Sequence, residues 1–457
     1  MLALTSLLQQ QGLLAGDPPS TGHVTNDPLL PKEPHLPARA RSVIFLFMSG
    51  GPSHVDLFDP KPDLIRWAGT PIPDSFGAFQ TRRKVAKNKL LAPVRPFHKH
   101  GQSGIEISEF LPNIAQCADE ICLLRGCYGD SVTHPESVYL MNTGSILMGR
   151  PSLGSWVTYG LGTENRNMPA FVVMPDPKGW VKGGAPAWSS GYMPSVHQGT
   201  ILRGGESPIL HLKNPAGISA DQQGRTIDFV NALNRENLEP GDEASDLAAR
   251  ISAYELAFRM QTQAPEVVDI SHESNATRHL YGLDHKQTSE FGLRCLLARR
   301  MVERGVRFVQ LYCGDTNGWD GHADVEGNHS QLCAASDLPV AGLLRDLKSR
   351  GLLDSTLVIW GGEFGRMPMS EGSDGRDHNP HGFSMWLAGG GVRGGTVLGS
   401  TDAVGLRAEH DKMHVHDVHA TILRLLGFDH TRLTYRRNGR EERLTDVAGR
   451  VIEKALA

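Results

Sequence analysis

Apolar and polar positions along the chain follow two rhythms. Short apolar runs of strand length occur at 41–48 (RSVIFLFM), 121–124, 169–174 (PAFVVM), 306–312 (VRFVQLY), 356–360 and 383–387. Each is followed within two residues by Gly or Pro, which break a strand. Between them lie stretches with helical spacing at 108–117, 135–143, 153–161, 219–236, 243–264, 287–304, 329–349 and 414–426, several ending on a glycine such as Gly144, Gly162 or Gly427. Strands that are apolar along their whole length, alternating with helices, predict an α/β fold with a mostly parallel central sheet and helices on both faces. Ligands in such folds bind beyond the carboxyl ends of the strands, so polar residues directly after a strand carry the most weight.

The rhythm lapses in three places. Residues 60–106 alternate charge with proline and read as loop with short elements. Residues 177–217 are rich in Gly, Pro, Ser and Trp without a period. With the helices that follow, the stretch 177–304 reads as an insertion carrying substrate-facing loops or a helical cover. Residues 1–37 begin apolar (MLALTSLLQQQGLLAG) and turn irregular. They read as the end of an export signal whose charged start is missing, plus a linker; a short amphipathic helix is the alternative. Residues 38–457 then form a single domain. No run reaches the roughly 20 apolar residues of a membrane span.

Charge and cysteine usage narrow the partners. A net charge of -4 offers no field to recruit nucleic acid or an anionic membrane. The six cysteines include no CxxC pair, which argues against a zinc ribbon or thioredoxin-type motif. Their place in apolar runs predicts buried thiols, with one disulfide among Cys117, Cys122 and Cys127 left open.

The chemistry gathers after three strands. SGGPSHVDLFD follows the first and offers His54 and Asp56, or simply a capped turn. GDTNGWDGHAD follows the 306–312 strand and offers Asp320 and His322. GGEFGRMPMSEGSDGRDHNPHG follows the 356–360 strand and offers Glu363, then Asp377, His378 and His381 in what reads as a Gly/Pro/Asn-rich loop. Carboxylate oxygen beside imidazole nitrogen suits a divalent ion, and the repetition at three strand ends is the signal. Arg366 and Arg376 have the guanidinium fork that matches phosphate or sulfate; surface pairing accounts for them equally well. His414, His416 and His419 read more simply as a polar first turn of a helix. Trp180 and Trp188 suit stacking on sugar rings or, more commonly, core packing.

These motifs together, SGGPSHVDLFDPKP, GWDGH and GGEFGR with RDHNPHG, resemble the domain-of-unknown-function 1501 family over nearly the whole chain from about residue 41. HPESVYLMNTG at 134–144 is similar to the sulfatase signature, WGGEFGR to the position of the Asp-His-Gly metal motif of the alkaline phosphatase superfamily, and HGF at 381–383 to its His-Gly-aromatic motif. The resemblance implies an alkaline phosphatase/sulfatase-like sandwich, export, often through the twin-arginine route, and a site for up to two divalent metal ions (Zn, Ca, Mg or Mn). By motif, Asp320, His322 and His381 would hold one metal; Asp56, Glu363 and His378 would hold the other, with His54 near. Glu363 stands where the superfamily usually has Asp. Thr133 or His134 falls at the nucleophile position, with water as the alternative and Ser53 a weaker one. The implied function is hydrolysis of phosphate or sulfate esters on a small molecule or glycan. The alternative is a catalytically inactive sulfatase-fold protein that binds glycans or other surface ligands.

Overall fold

A computed structural model describes residues 27–203, 217–237 and 246–457. The apolar segment expected to be an export-signal remnant, residues 204–216 of the 177–217 stretch and the first residues of the helix expected from 243 lie outside the described residues.

The apolar runs form one sheet. Its strands are β1 (Ser42–Met48), β2 (Ile121–Tyr128), β3 (Phe171–Met174), β4 (Thr200–Ile201), β5 (Phe308–Cys313), β6 (Thr356–Gly361), β9 (Phe383–Ala388), β10 (Thr396–Leu398) and β11 (Met413–His414). They lie in the order β10-β2-β9-β6-β1-β5-β3-β4, with β11 also beside β2. β9 runs antiparallel to both of its neighbours, and the other pairings are parallel.

Alternation along β1 shows why its run is apolar throughout. Ile44, Leu46 and Met48 enter one core with Phe291, Cys295 and Leu296 of α5 (Ser289–Glu303) and Val340, Leu343 and Leu347 of α6 (Val325–Ser349). Val43, Phe45 and Phe47 enter the opposite core with α1 (His134–Thr143), α2 (Leu153–Leu161) and α7 (Val415–Leu425). The expected class, a mostly parallel sheet with helices on both faces, is the one observed. Helices α3 (Ala220–Glu236) and α4 (Asp246–Val268) occupy the middle of the chain, and no helix among the described residues is long and apolar enough to cross a membrane.

Two expectations change. Residues 365–379, read as loop, form the antiparallel pair β7 (Gly365–Glu371) and β8 (Gly375–Asn379). Their buried residues include Arg366, Arg376, Asp377 and His378, which are held by hydrogen bonds, so no apolar period marks the strands. All six cysteines are free, buried thiols, so no disulfide joins Cys117, Cys122 and Cys127.

Candidate metal centre

Five parallel strands of the sheet deliver side chains or turns to one place, each from its carboxyl end. After β1 comes the turn Ser49–Gly51, after β2 the segment leading to His134, and after β3 the loop bearing Lys182. Asp320 and His322 follow β5, and Glu363 follows β6. This is the position that a parallel sheet reserves for ligands.

Asp320 is the hub. Its Oδ2 is 2.9 Å from His134 Nε2 and 2.6 Å from Lys182 Nζ. Its Oδ1 is 3.0 Å from His322 Nε2, 3.1 Å from His378 Nε2 and 2.8 Å from the Arg366 guanidinium. Burial opposes its charge, but hydrogen bonds from the three histidines and the charge of Arg366 outweigh that and hold the carboxyl far below the usual carboxylate range.

Each histidine is oriented from behind. His134 Nδ1 is 2.7 Å from Glu363 Oε1, His378 Nδ1 is 2.7 Å from the Val132 carbonyl, and His322 Nδ1 meets the Glu371 carboxylate. Glu363 is fixed in turn by the Gly50 amide, which donates to both of its oxygens at 2.9 and 3.1 Å. Phe364 stacks on His378 with ring centres 4.5 Å apart. Burial lowers the His378 pKa to about 4 against the hydrogen bond to Asp320. For His322 burial also opposes the charge, but its bonds to Asp320 and Glu371 win and raise its pKa.

Backbone geometry makes the convergence possible. Gly50 has φ +108°, and a Cβ there would lie 2.6–2.7 Å from the Asn317 carbonyl and the amides of Trp319 and Asp320. Only glycine lets the turn after β1 touch the loop after β5.

The donor atoms suit a cation. One atom each from His134, Asp320 and His378 lie within 4.8 Å of one another, and the same holds for His322, Asp377 and His378. Nitrogen and carboxylate oxygen together suit zinc or manganese.

The residues expected to share this site divide. His134, Asp320, His322, Glu363, His378 and Arg366 come together. Arg366 is fully buried and is spent on the Gly50 and Gly51 carbonyls, the Arg376 carbonyl and Asp320, so it braces the site and has no face for substrate. Asp56 is bound by Arg376 through a two-pronged ion pair at 2.7 and 3.1 Å, both side chains fully buried, and also accepts from Ser53 and the Val94 amide. Arg376 spends its remaining donors on carbonyls of residues 91, 92, 367 and 368. This pair takes Asp56 from the expected ligand set and Arg376 from substrate. His54 points Nε2 at the Gly405 carbonyl (2.8 Å), and His381 lies 3.0 Å from the Gln80 carbonyl; neither joins a metal-holding group among the described residues. Thr133 caps α1 immediately before His134, its hydroxyl 3.2 Å from Ser131 Oγ, which in turn bonds the Glu136 carboxylate. His416 and His419 donate through Nε2 to the carbonyls of Gly144 and Met141 at the carboxyl end of α1, which ties the two helices together.

Lys182 and Glu371 were not foreseen. Lys182 lies in an aperiodic segment, although the strand-end rule applied to the 169–174 run points to it. Glu371 sits on a hairpin strand whose pattern is polar.

A family model described as protein of unknown function (DUF1501) matches residues 40–456. No protein of curated function matches the sequence. Solved structures with a likeness include a protein designated Ps i-CgsB (TM-score 0.37, 11% identity, 85% of this chain and 72% of that one). Others are the PsFucS1 sulfatase from Pseudoalteromonas sp. (0.35, 13%, 85% and 68%) and TAB5 alkaline phosphatase (0.33, 11%, 77% and 92%). Likeness at this level does not bear on chemistry.

Proposed function

The chain belongs to the DUF1501 family of proteins of unknown function, and from its site we propose a metal-dependent hydrolase of phosphate or sulfate esters. The observation that supports this is the common orientation of three histidines. Each commits Nδ1 to an acceptor and turns Nε2 on the same carboxylate. An imidazole that gives its single proton to the acceptor at Nδ1 has a lone pair in place of a donor at Nε2, so a cation between Nε2 and the carboxylate would take over from the hydrogen bond made there without metal. His378 is kept neutral by burial, so its ring meets that condition. His134, Asp320 and His378 would hold one ion; His322 and Asp377 with the same His378 would hold it in an alternative position, since a ring with Nδ1 committed has one lone pair to give. A bound divalent ion supplies Lewis acidity toward the ester oxygen and a lowered pKa for a hydroxyl or water.

The chain's own groups divide the remaining work. His134 has both ring nitrogens engaged, which favours a holding role over attack. The Thr133 hydroxyl adjoins it and is the attacking group we assign. Ser131 and Glu136 form a route for its proton. Lys182, partly exposed, is the cation placed to meet the ester's anionic oxygens. Export belongs to the same proposal and is checked by cell fractionation.

The test is metal content by mass spectrometry together with turnover of aryl phosphate, aryl phosphodiester and aryl sulfate. Wild type should carry divalent metal and turn over at least one of the three. His378→Ala should lose both. Thr133→Ala should keep the metal and lose turnover. A wild type without metal and without turnover under all conditions sinks the proposal. One observation favours a second reading, a non-catalytic binding protein: Arg366 and Lys182 already neutralise Asp320. Ligand binding by a Thr133→Ala protein, with no turnover in wild type, would favour it.

A further inference from the structure

The loop after β3 does more than bring Lys182 to Asp320. It is pinned along its length. Asp176 accepts from the Gly314 amide at 3.1 Å and pairs with buried Arg294 at 3.4 Å. Gly179 packs so closely on the backbone of Thr316 that a Cβ would lie 2.2 Å from its nitrogen. Val181 is buried in the apolar core. The Gly183 carbonyl accepts from the Tyr139 hydroxyl at 2.8 Å. In the midst of these anchors Trp180 is 78% exposed, whereas Trp188, eight residues on, is buried.

A large indole held in water on an anchored backbone leaves most of its apolar surface unburied. Mobility does not explain it, because residues on both sides are tied down. Only Val181 separates it from Lys182, so the two Cα atoms are at most about 7 Å apart, roughly the length of one or two sugar rings. Lys178, two residues to the other side, is exposed, and among the described residues no acidic group pairs with its ammonium.

We infer that Trp180 and Lys178 form a saccharide subsite beside the metal centre, with the indole face as platform and the ammonium as contact for an anionic substituent. The ligand class is an anionic oligosaccharide bearing sulfate, phosphate or carboxylate groups. An exposed aromatic surface on an anchored backbone, with an exposed lysine two positions away, suits the apolar face of a pyranose ring and a charged group on its neighbour. The inference rests on the proposed hydrolase reading for its catalytic meaning, but its binding half stands alone.

The test measures binding and turnover separately. Protein labelled with 5-fluorotryptophan, the Trp180 signal assigned through Trp180→Phe, is titrated by fluorine NMR with chondroitin sulfate hexasaccharide, oligogalacturonate hexamer and uncharged maltohexaose. An anionic hexamer should shift the Trp180 resonance. Calorimetry should find affinity about tenfold weaker for Trp180→Ala and largely kept in Trp180→Phe. Lys178→Ala should weaken anionic ligands severalfold and flatten their salt dependence. Where turnover exists, Trp180→Ala should raise KM for a saccharide ester and leave hydrolysis of a small aryl ester unchanged. The inference is overturned if no hexamer moves the Trp180 signal, if Trp180→Ala binds as wild type does, or if maltohexaose binds as well as the anionic ligands. Trp180-dependent binding in a protein that hydrolyses no ester would leave this subsite standing while the hydrolase reading fails.

Discussion

Asp56 and Asp320 are both carboxylates met by arginine, and their surroundings give them different work. Asp56 is fully enclosed, bonded by both prongs of Arg376, and has no imidazole in its donor set. Its contribution is to hold β8 against the turn after β1. Asp56→Asn should therefore destabilise the protein by about 3–5 kcal/mol in urea unfolding, because a buried guanidinium loses its counter-charge. Metal content per folded molecule should stay unchanged. Glu363 is the opposite case, a buried carboxylate whose value lies in aiming His134. Glu363→Gln should cost about 10- to 100-fold in metal affinity, measured by competition with a chelator. An unchanged affinity would show that His134 does not need its acidic partner.

At the scale of elements, the strands were legible because burial on both faces demands unbroken apolar runs. The run expected at 356–360 is β6, and that at 306–312 is β5 within two residues at each end. The strand-end rule then found Asp320, His322, Glu363 and His378. It could not separate Asp56 from them, since a carboxylate two residues from a histidine looks the same whether its partner is a cation site or Arg376. The β7–β8 hairpin was invisible for a related reason. Its interior positions are charged and satisfied by partners far along the chain, which no local period records. Gly50 is where these elements meet, and its amide also fixes Glu363. Gly50→Ala would add strain at φ +108° and push on the backbone before Asp320. The expected result is a loss of about 2–3 kcal/mol in stability, together with loss of metal binding. Wild-type metal affinity in this variant would mean that the turn and the Asp320 loop move independently.

For the whole molecule, the histidines kept neutral in the interior set the acid limit. His329 is pushed down to about 4 and His197 and His419 to about 3, burial being the main cause in each. The ring contacts explain why protonation is resisted. His329 Nε2 accepts the Ser53 amide proton at 2.9 Å, so a proton there breaks that bond, and His419 Nδ1 is buried without a partner. In each case the folded pKa lies below the ordinary 6.5, so the unfolded chain takes up the proton first. Stability is therefore full above pH 6.5 and falls as pH drops below it, until the folded chain also protonates near pH 4 or 3. Each group removes roughly 2 kcal/mol by pH 5, and the three together remove about 6 kcal/mol, which is comparable to the whole stability of an ordinary domain. Asp337 and Asp402 work the other way. Burial raises both, so the folded chain protonates them before the unfolded one does, and part of the loss is offset as pH approaches 3.8. Urea unfolding at pH 7.5, 6 and 5 should show this decline. His419→Gln, which keeps a donor for the Met141 carbonyl but cannot titrate, should reduce the slope below pH 6.5 by about 1.4 kcal/mol per pH unit. A His419→Gln protein with the wild-type slope would remove this histidine from the acid limit and leave the loss to the other buried histidines.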